Sequence, residues 1–335
     1  METLITCKET YEKTLAKEAA LHQGTPQASG RGVVIVNWGD APLPDLCFAN
    51  HILKNPVPTS NASVNGMTEQ LLNLFCEHIK GKRVTSSWPA VFASCGDEKL
   101  LRRVQAIEKN WLDNLRRKLS RVAKLATNNI PAGSNWIEGF FVYFINFEEA
   151  FVSFQAIGAR QQRMRMDPLA PSRSYLKAEE AFYVFGCEPK KGDTVIDLGA
   201  APGGWSYSAL KRGARVTAID NGPLKGAVAN HPKITHLKED AFKYKHENLR
   251  PVEWMFCDIL EQPDMVLECL REWLRRKWCR RFIVNLKVGR NDPIRLLQDI
   301  RDPRQKIISC CRSLQIKQLY HDREEITLMG EAKKF

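Results

Sequence analysis

The chain lacks any Cys-x-x-Cys pair, although it holds ten cysteines, at 7, 47, 76, 95, 187, 257, 269, 279, 310 and 311. That spacing excludes the usual zinc ribbons and fingers, and no metal is expected. At 335 residues and 44% hydrophobic content the chain can bury real cores without a disulfide scaffold. Reduced, cytoplasmic thiols are therefore the expectation. There is no run of 18 apolar residues, so no membrane-spanning helix is expected. The start, Met1-Glu2-Thr3-Leu4, lacks a basic segment and an apolar run, so no secretory leader is expected. Internal repeats and low-complexity tracts are absent. So is the Gly-x-Gly-x-x-Gly fingerprint of a dinucleotide pyrophosphate site, which argues against a nucleotide-dependent oxidoreductase.

Negative charge is in short supply. Fifty Lys and Arg face 38 Asp and Glu, a net charge of +12. The balance favours a polyanionic partner such as nucleic acid, although a merely basic protein has the same composition. Length alone suggests two or three domains.

The amino end alternates strand, helix and strand, over Thr3–Cys7, Glu9–Leu21 and Gly32–Asn37. Leu15, Ala19 and Ala20 mark the inner face of that helix, and the unit reads as a small α+β domain over 1–55. Residues 54–65, with Pro56, Pro58, Ser60, Asn61 and Ser63, read as a turn-rich connector. A second domain spans 56–160. It holds a helix at Thr68–Ile79, a strand at Ala90–Ala93, a long helix at Glu98–Ala126 and a hairpin of Trp136–Asn146 with Glu149–Ala156. The long helix carries Leu101, Val104, Ile107, Trp111, Leu115, Leu119 and Val122 at steps of three and four. Its other face holds nine cations, from Lys99 to Lys124. Two readings stay open there, a solvated face and a phosphate-facing one.

Residues 158–172 read as a linker whose Arg160, Arg163 and Arg165 could track a phosphate backbone. From Ser174 on, helices and strands alternate. Helices are expected at Tyr175–Phe185, Trp205–Arg212, Met265–Trp278 and Ile294–Cys311. Strands are expected at 194–198, Arg215–Ile219, Ile234–Leu237, Trp254–Asp258, Arg281–Leu286, Ile316–Tyr320 and Glu325–Leu328. This pattern predicts a Rossmann-like α/β sheet within 161–335.

The first of those strands runs into Asp197-Leu-Gly-Ala-Ala-Pro-Gly-Gly-Trp205. Gly199, Gly203 and Gly204 let a backbone approach a ligand where a Cβ would clash, and Ala201, Pro202 and Trp205 complete the turn. Gly-x-x-x-Gly-Gly implies no pyrophosphate, so the expected guest is S-adenosylmethionine. Any strand–turn–helix can also use glycines. Asp220 ends the next strand, where a carboxylate accepts ribose hydroxyls. Asp240 is placed either to accept from an adenine amino group or to cap a helix. Asp258 ends a central strand and faces the crevice. Lys287 closes an apolar strand, so it is either a base in partly dry surroundings or a snorkelling surface lysine.

Together these stretches resemble a family. Lys177, Asp258, Lys287 and Glu325 look like the Lys-Asp-Lys-Glu tetrad of FtsJ-type RNA 2′-O-ribose methyltransferases. Glu324 stands beside Glu325, which is chosen because the β-branched Ile326 follows it. Three phrases, Ala170-Pro-Ser-Arg-Ser-Tyr-Leu-Lys177, Ile219-Asp-Asn-Gly-Pro223 and Leu319-Tyr-His-Asp-Arg-Glu-Glu-Ile-Thr327, resemble more narrowly the bacterial 23S ribosomal RNA cytidine 2′-O-methyltransferases. The resemblance implies ferredoxin-like and THUMP-like RNA-binding pieces ahead of the α/β domain. It also implies a cofactor site of Ser174, Gly199, Ala201, Pro202, Gly203, Gly204, Trp205, Asp220, Asp240 and Asp258. Lys287 is then the general base, aided by Lys177, Asp258 and Glu325, and the substrate is protein-free or precursor 23S RNA. The rival expectation is a catalytically silent RNA-binding assembly factor, against which the complete tetrad argues. Cys257-Asp258-Ile259-Leu260 lacks the Pro-Pro-aromatic run of DNA amino methylases.

Overall fold

The computed structural model describes residues 1–333 except 96–97, 129, 131–134, 159–160, 249 and 290. Arg160, expected in the linker track, thus lies outside the described residues. The chain divides into two compact units, Met1–Arg160 and Gln161–Phe335.

The first unit begins with β1 (Glu2–Thr6), α1 (Glu12–Leu21), β2 (Thr25–Gly30), β3 (Val33–Asn37), β4 (Ile52–Lys54) and β5 (Val57–Ser60). It continues with α2 (Val64–Ile79), β6 (Trp88–Ser94), α3 (Glu98–Lys118), α4 (Ser120–Ala123), β7 (Ala126–Thr127), β8 (Ile137–Phe144) and β9 (Glu149–Ile157). Its strands make one sheet in the order β2-β3-β1-β4-β9-β8-β6-β7, with β5 on β9. The expected connector at 54–65 is therefore partly strand. Val57 pairs with Val152 and Thr59 with Ala150, and Thr59 is buried. Pro58 is tolerated because, among the described residues, β5 has no ladder on its other side.

Helix α1 starts at Glu12 rather than Glu9, because Thr10 takes a left-handed φ of 76°. Its inner face is Leu15, Glu18 and Ala19, while Ala20 is exposed, against expectation. The Glu18 carboxylate accepts the Cys47 and Phe48 N–H groups at 2.7 and 3.1 Å, which is what makes its burial tolerable. Helix α2 starts four residues before the expected Thr68. Ser63 caps it, accepting the Gly66 N–H at 2.9 Å. The expected helix to Ala126 breaks at Leu119 (φ −139°, ψ 62°) into α3 and α4. Leu100, Val104, Ile107, Trp111 and Leu115 of α3 are buried, and Leu101 is exposed instead of inward. Trp111 stacks on Phe140 at 4.9 Å and meets Phe75 edge-on at 5.3 Å, the centre of this core.

The second unit holds α5 (Tyr175–Phe185), β10 (Thr194–Leu198), α6 (Gly204–Lys211), β11 (Arg215–Ile219), β12 (Ile234–Leu237) and β13 (Val252–Cys257). Then follow α7 (Pro263–Arg276), β14 (Cys279–Lys287), α8 (Pro293–Arg301), β15 (Cys311–Lys317) and β16 (Glu325–Ala332). The sheet order is β12-β11-β10-β13-β14-β16-β15. Strands β10 to β14 are parallel, and β16 runs antiparallel to both β14 and β15. This is the expected Rossmann-like sheet. The chain winds outward from β10 in both directions, so a crevice opens at the carboxyl ends of β10 and β13. The expected helix Ile294–Cys311 stops at Arg301, because Pro303 follows an extended Asp302 (ψ 116°). Strand β15 ends at Lys317 instead of Tyr320. The N–H groups of Leu319, Tyr320 and His321 are taken by carboxylates, not by a ladder.

Candidate active site

The turn after β10 brings Gly199 (φ 75°) and Gly203 (φ 111°) into the left-handed region that favours glycine. The turn is also packed tightly on its own protein. A Cβ on Gly199 would lie 2.6 Å from the Ile259 side chain. One on Gly204 would lie 2.2 Å from Ser174 Oγ, 2.5 Å from Ser172 Oγ and 2.9 Å from the Tyr175 nitrogen. Gly199 and Gly204 thus also serve close packing between elements, a role beside the expected ligand approach.

Beside this turn is a cleft of ≈ 380 Å³. Of the residues expected from sequence, Ser174, Lys177, Gly199, Ala201, Pro202, Trp205, Asp258 and Glu325 line it. Gly203, Gly204, Asp220, Asp240 and Lys287 are not in its lining. Asp220 is committed locally. Its Oδ2 accepts the Ala201 N–H at 2.9 Å and its Oδ1 the Gly222 N–H at 2.7 Å, each oxygen keeping a second lone pair. Asp240 accepts the Phe242 N–H at 3.0 Å within a turn, and no helix follows it before β13 among the described residues. The lining also includes Ser172, Arg173, Leu260, His321 and Arg323, which sequence reasoning had not singled out as site residues. Ser172, Arg173, Leu260 and Arg323 each lie within two residues of an expected site residue, whereas His321 is four residues from Glu325.

Inside the cleft Lys177 Nζ lies 3.5 Å from Asp258 Oδ1 and 3.3 Å from Glu325 Oε1. Glu325 is buried, whereas Glu324 is exposed. Lys287 sits opposite Glu325 in the β14–β16 register, which places the fourth tetrad residue at the same strand ends. Burial works against the charge on Lys177. Asp258, Glu325 and Asp322 outweigh it and hold the amine above the ordinary lysine range. Burial likewise raises Asp258, and the Lys177 cation opposes that rise.

The loop at 318–324 between β15 and β16, whose His321 and Arg323 rim the cleft, is fixed from beneath. Glu180 of α5, fully buried, accepts the N–H groups of Tyr320 (2.7 Å), His321 (2.9 Å) and Gln162 (3.0 Å). Burial still pushes its carboxyl up to about 7. Asp322 accepts from Asn285 Nδ2, the Leu319 N–H and Thr327 Oγ1 at 2.9 to 3.0 Å, and burial raises it to about 6.

Asp197 is the third such group. It is 1% exposed, its Oδ2 accepts from Ser206 Oγ at 2.6 Å, and burial pushes it up to about 7. A carboxyl raised above its unfolded value of 3.8 binds more protons folded than unfolded, so stability falls as pH rises from about 4 to about 7. Asp197→Asn removes this group's share of the slope. Urea unfolding at pH 5 and pH 8 should show a smaller pH difference in the variant, and an unchanged difference contradicts the assignment.

The residues present fit the cofactor expected from sequence. Trp205 lines the cleft, and its buried indole N–H has no acceptor among the described residues. Such a group calls for a polar partner.

Comparison with known proteins agrees. The FtsJ-like methyltransferase family model matches residues 170–284. The protein of Halorhodospira halophila named ribosomal RNA large subunit methyltransferase M is 31% identical over 350 residues, covering 97% of this chain and 95% of its own length. The protein of that name from Laribacter hongkongensis is 43% identical over 175 residues, 50% of this chain and 49% of itself. The Azoarcus counterpart is 38% identical over 213 residues, 58% of each. In these last two the match spans about half the length of the relative. With nearly the whole chain aligned to the Halorhodospira protein, the chain belongs to the ribosomal RNA large subunit methyltransferase M family, and its second unit carries the FtsJ-like part.

Proposed function

We propose that the chain transfers a methyl group from S-adenosylmethionine to a ribose 2′-hydroxyl of large-subunit ribosomal RNA, at a cytidine. The observation that carries this reading is the cluster of Lys177, Asp258 and Glu325 at the carboxyl ends of the central strands, with Lys287 in register beside it. When bound, S-adenosylmethionine supplies an electrophilic methyl group. Ser174, Gly199, Ala201, Pro202, Gly203, Gly204, Trp205 and Asp258 would hold it, with Asp220 on its ribose and Asp240 near its adenine. Lys287 takes the proton of the 2′-hydroxyl, because that hydroxyl is a weak nucleophile until deprotonated. Asp258 and Glu325 hold Lys177 at the reacting hydroxyl and orient it. Alignment of acceptor and donor supplies much of the remaining acceleration.

The first unit is the RNA-handling part in this reading, with a ferredoxin-like piece over 1–55 and a THUMP-like piece over 56–160. Helix α3 supports it. Lys99, Lys109, Arg117 and Lys118 are exposed on one helix, and among the described residues none is in an ion pair. Phosphate contacts release counterions, so RNA affinity should fall steeply with salt. Irregular or single-stranded RNA offers the most accessible 2′-hydroxyl, so naked 23S RNA is the expected substrate over assembled subunits.

The test joins cofactor and acceptor. Labelled S-adenosylmethionine should mark naked large-subunit RNA more strongly than mature subunits. Asp220→Ala should weaken cofactor binding by roughly 1–3 kcal/mol, the cost of unpairing buried hydroxyls. Equal labelling of the two RNAs sinks the substrate reading. Normal calorimetric affinity in the variant removes Asp220 from the site.

A further inference from the structure

Two cations at the mouth of the cleft have no part in the chemistry above. Arg173 and Arg323 both line it, and both are exposed. Among the described residues neither guanidinium is in an ion pair. Two of the nearby acids are already engaged, whereas Glu324, next to Arg323 in sequence, is exposed. Asp258 and Glu325 share Lys177, and Glu325 Oε2 also accepts the Arg323 N–H.

Charge counting sharpens the point. The tetrad holds two amines and two carboxylates, so it exerts no net pull on a phosphodiester. A phosphodiester is therefore drawn to the mouth by cations outside the tetrad, and Arg173 and Arg323 are two such cations in the cleft lining.

Both stand on rigid backbone. Arg323 lies in the rim loop that Glu180 and Asp322 fix from below, two residues before Glu325. Arg173 lies in the turn that leads into α5, its carbonyl accepting the Leu176 N–H at 3.1 Å, four residues before Lys177. On either side of it the Ser172 and Ser174 hydroxyls bond each other at 2.7 Å. Each arginine thus flanks one member of the cluster, anchored at its backbone and open at its guanidinium. A planar fork of donors suits a phosphate oxygen pair.

We infer that Arg173 and Arg323 form a phosphate clamp that grips the RNA backbone on the two sides of the ribose to be methylated. The inference rests on the proposed RNA methylation. It adds the contacts that bring the acceptor to the tetrad and are independent of base identity.

The test uses the full chain, S-adenosylhomocysteine and an unmodified transcript of large-subunit RNA. Fluorescence anisotropy is read against salt for the parent, Arg173→Gln, Arg323→Gln and the double variant. Each single change should weaken RNA binding roughly 10-fold and flatten the salt slope by about 0.7 to 0.9. The loss should fall on RNA affinity, with cofactor affinity and melting temperature holding, because the contact is made to the RNA backbone and not to the donor. Arg323→Lys should recover most of the slope, since it keeps the charge and loses only the fork. If the double variant matches the parent in affinity and slope while the parent methylates RNA, the clamp alone is overturned. If Arg173→Gln loses cofactor affinity instead of RNA affinity, Arg173 is a cofactor contact and the clamp is again overturned. A parent that transfers no methyl to any ribosomal RNA overturns the proposed reaction, whereas the salt slopes still decide the clamp.

Discussion

Lys287→Ala should abolish methyl transfer while leaving cofactor binding nearly intact. The base acts on the acceptor hydroxyl, and Lys287 lies at the end of β14 outside the lining of the cleft beside the glycine turn. Removing a general base costs at least about 10²-fold in rate. Charge and basicity can be separated. Lys287→Arg keeps a cation but cannot surrender its proton at accessible pH, so it should be as inactive as the alanine variant. Single-turnover transfer to naked RNA, paired with calorimetric titration of S-adenosylhomocysteine, reads both effects. A near-normal rate in either variant removes Lys287 as the base. Loss of cofactor affinity with the rate would instead place it among the donor contacts.

Lys177→Met should be the most damaging change for stability and activity together. The amine is the shared partner of Asp258 and Glu325, at 3.5 and 3.3 Å, and its side chain is only 14% exposed. Taking one partner from a buried pair leaves uncompensated charge, a loss of about 3–5 kcal/mol in well-buried cases. The pH dependence gives a second signature. Burial already raises Asp258 above its unfolded value of 3.8, and the Lys177 cation opposes that rise. Without the cation the folded state prefers the protonated acid more strongly. The variant should lose stability as pH rises above about 4, relative to the parent, and regain part of it on acidification. Denaturant titrations of both proteins across pH 5 to 8 measure this. Equal losses at every pH point to lost packing instead of lost charge.

The sequence carried the second unit well because its signals are local. Apolar runs ending in Asp197, Asp220, Asp258 and Lys287 specify strand ends, and strand ends specify the crevice. Of the adjacent pair Glu324 and Glu325, the one before β-branched Ile326 is the buried one, at the start of β16. Three things were not legible. The strand at 57–60 is made by its partner β9, and its own prolines argue against it. The inward Glu18 and Glu180 depend on backbone N–H groups about 30 and 140 residues away, beyond any window of periodicity. The cleft contacts of Arg173, His321 and Arg323 come from the folding of two distant loops onto one mouth. The glycine turn was placed correctly but for an incomplete reason. Its crowding by Ile259, Ser172 and Ser174 is tertiary.

The most direct test of the account identifies the atom that is methylated. Naked large-subunit RNA lacking the modification is incubated with the full chain and labelled S-adenosylmethionine, then digested to nucleosides and resolved by mass spectrometry. The account predicts one labelled product, 2′-O-methylcytidine, with the methyl on the ribose, and none with Lys287→Ala. Label on a nucleobase, or the same yield from the Lys287→Ala variant, would contradict it.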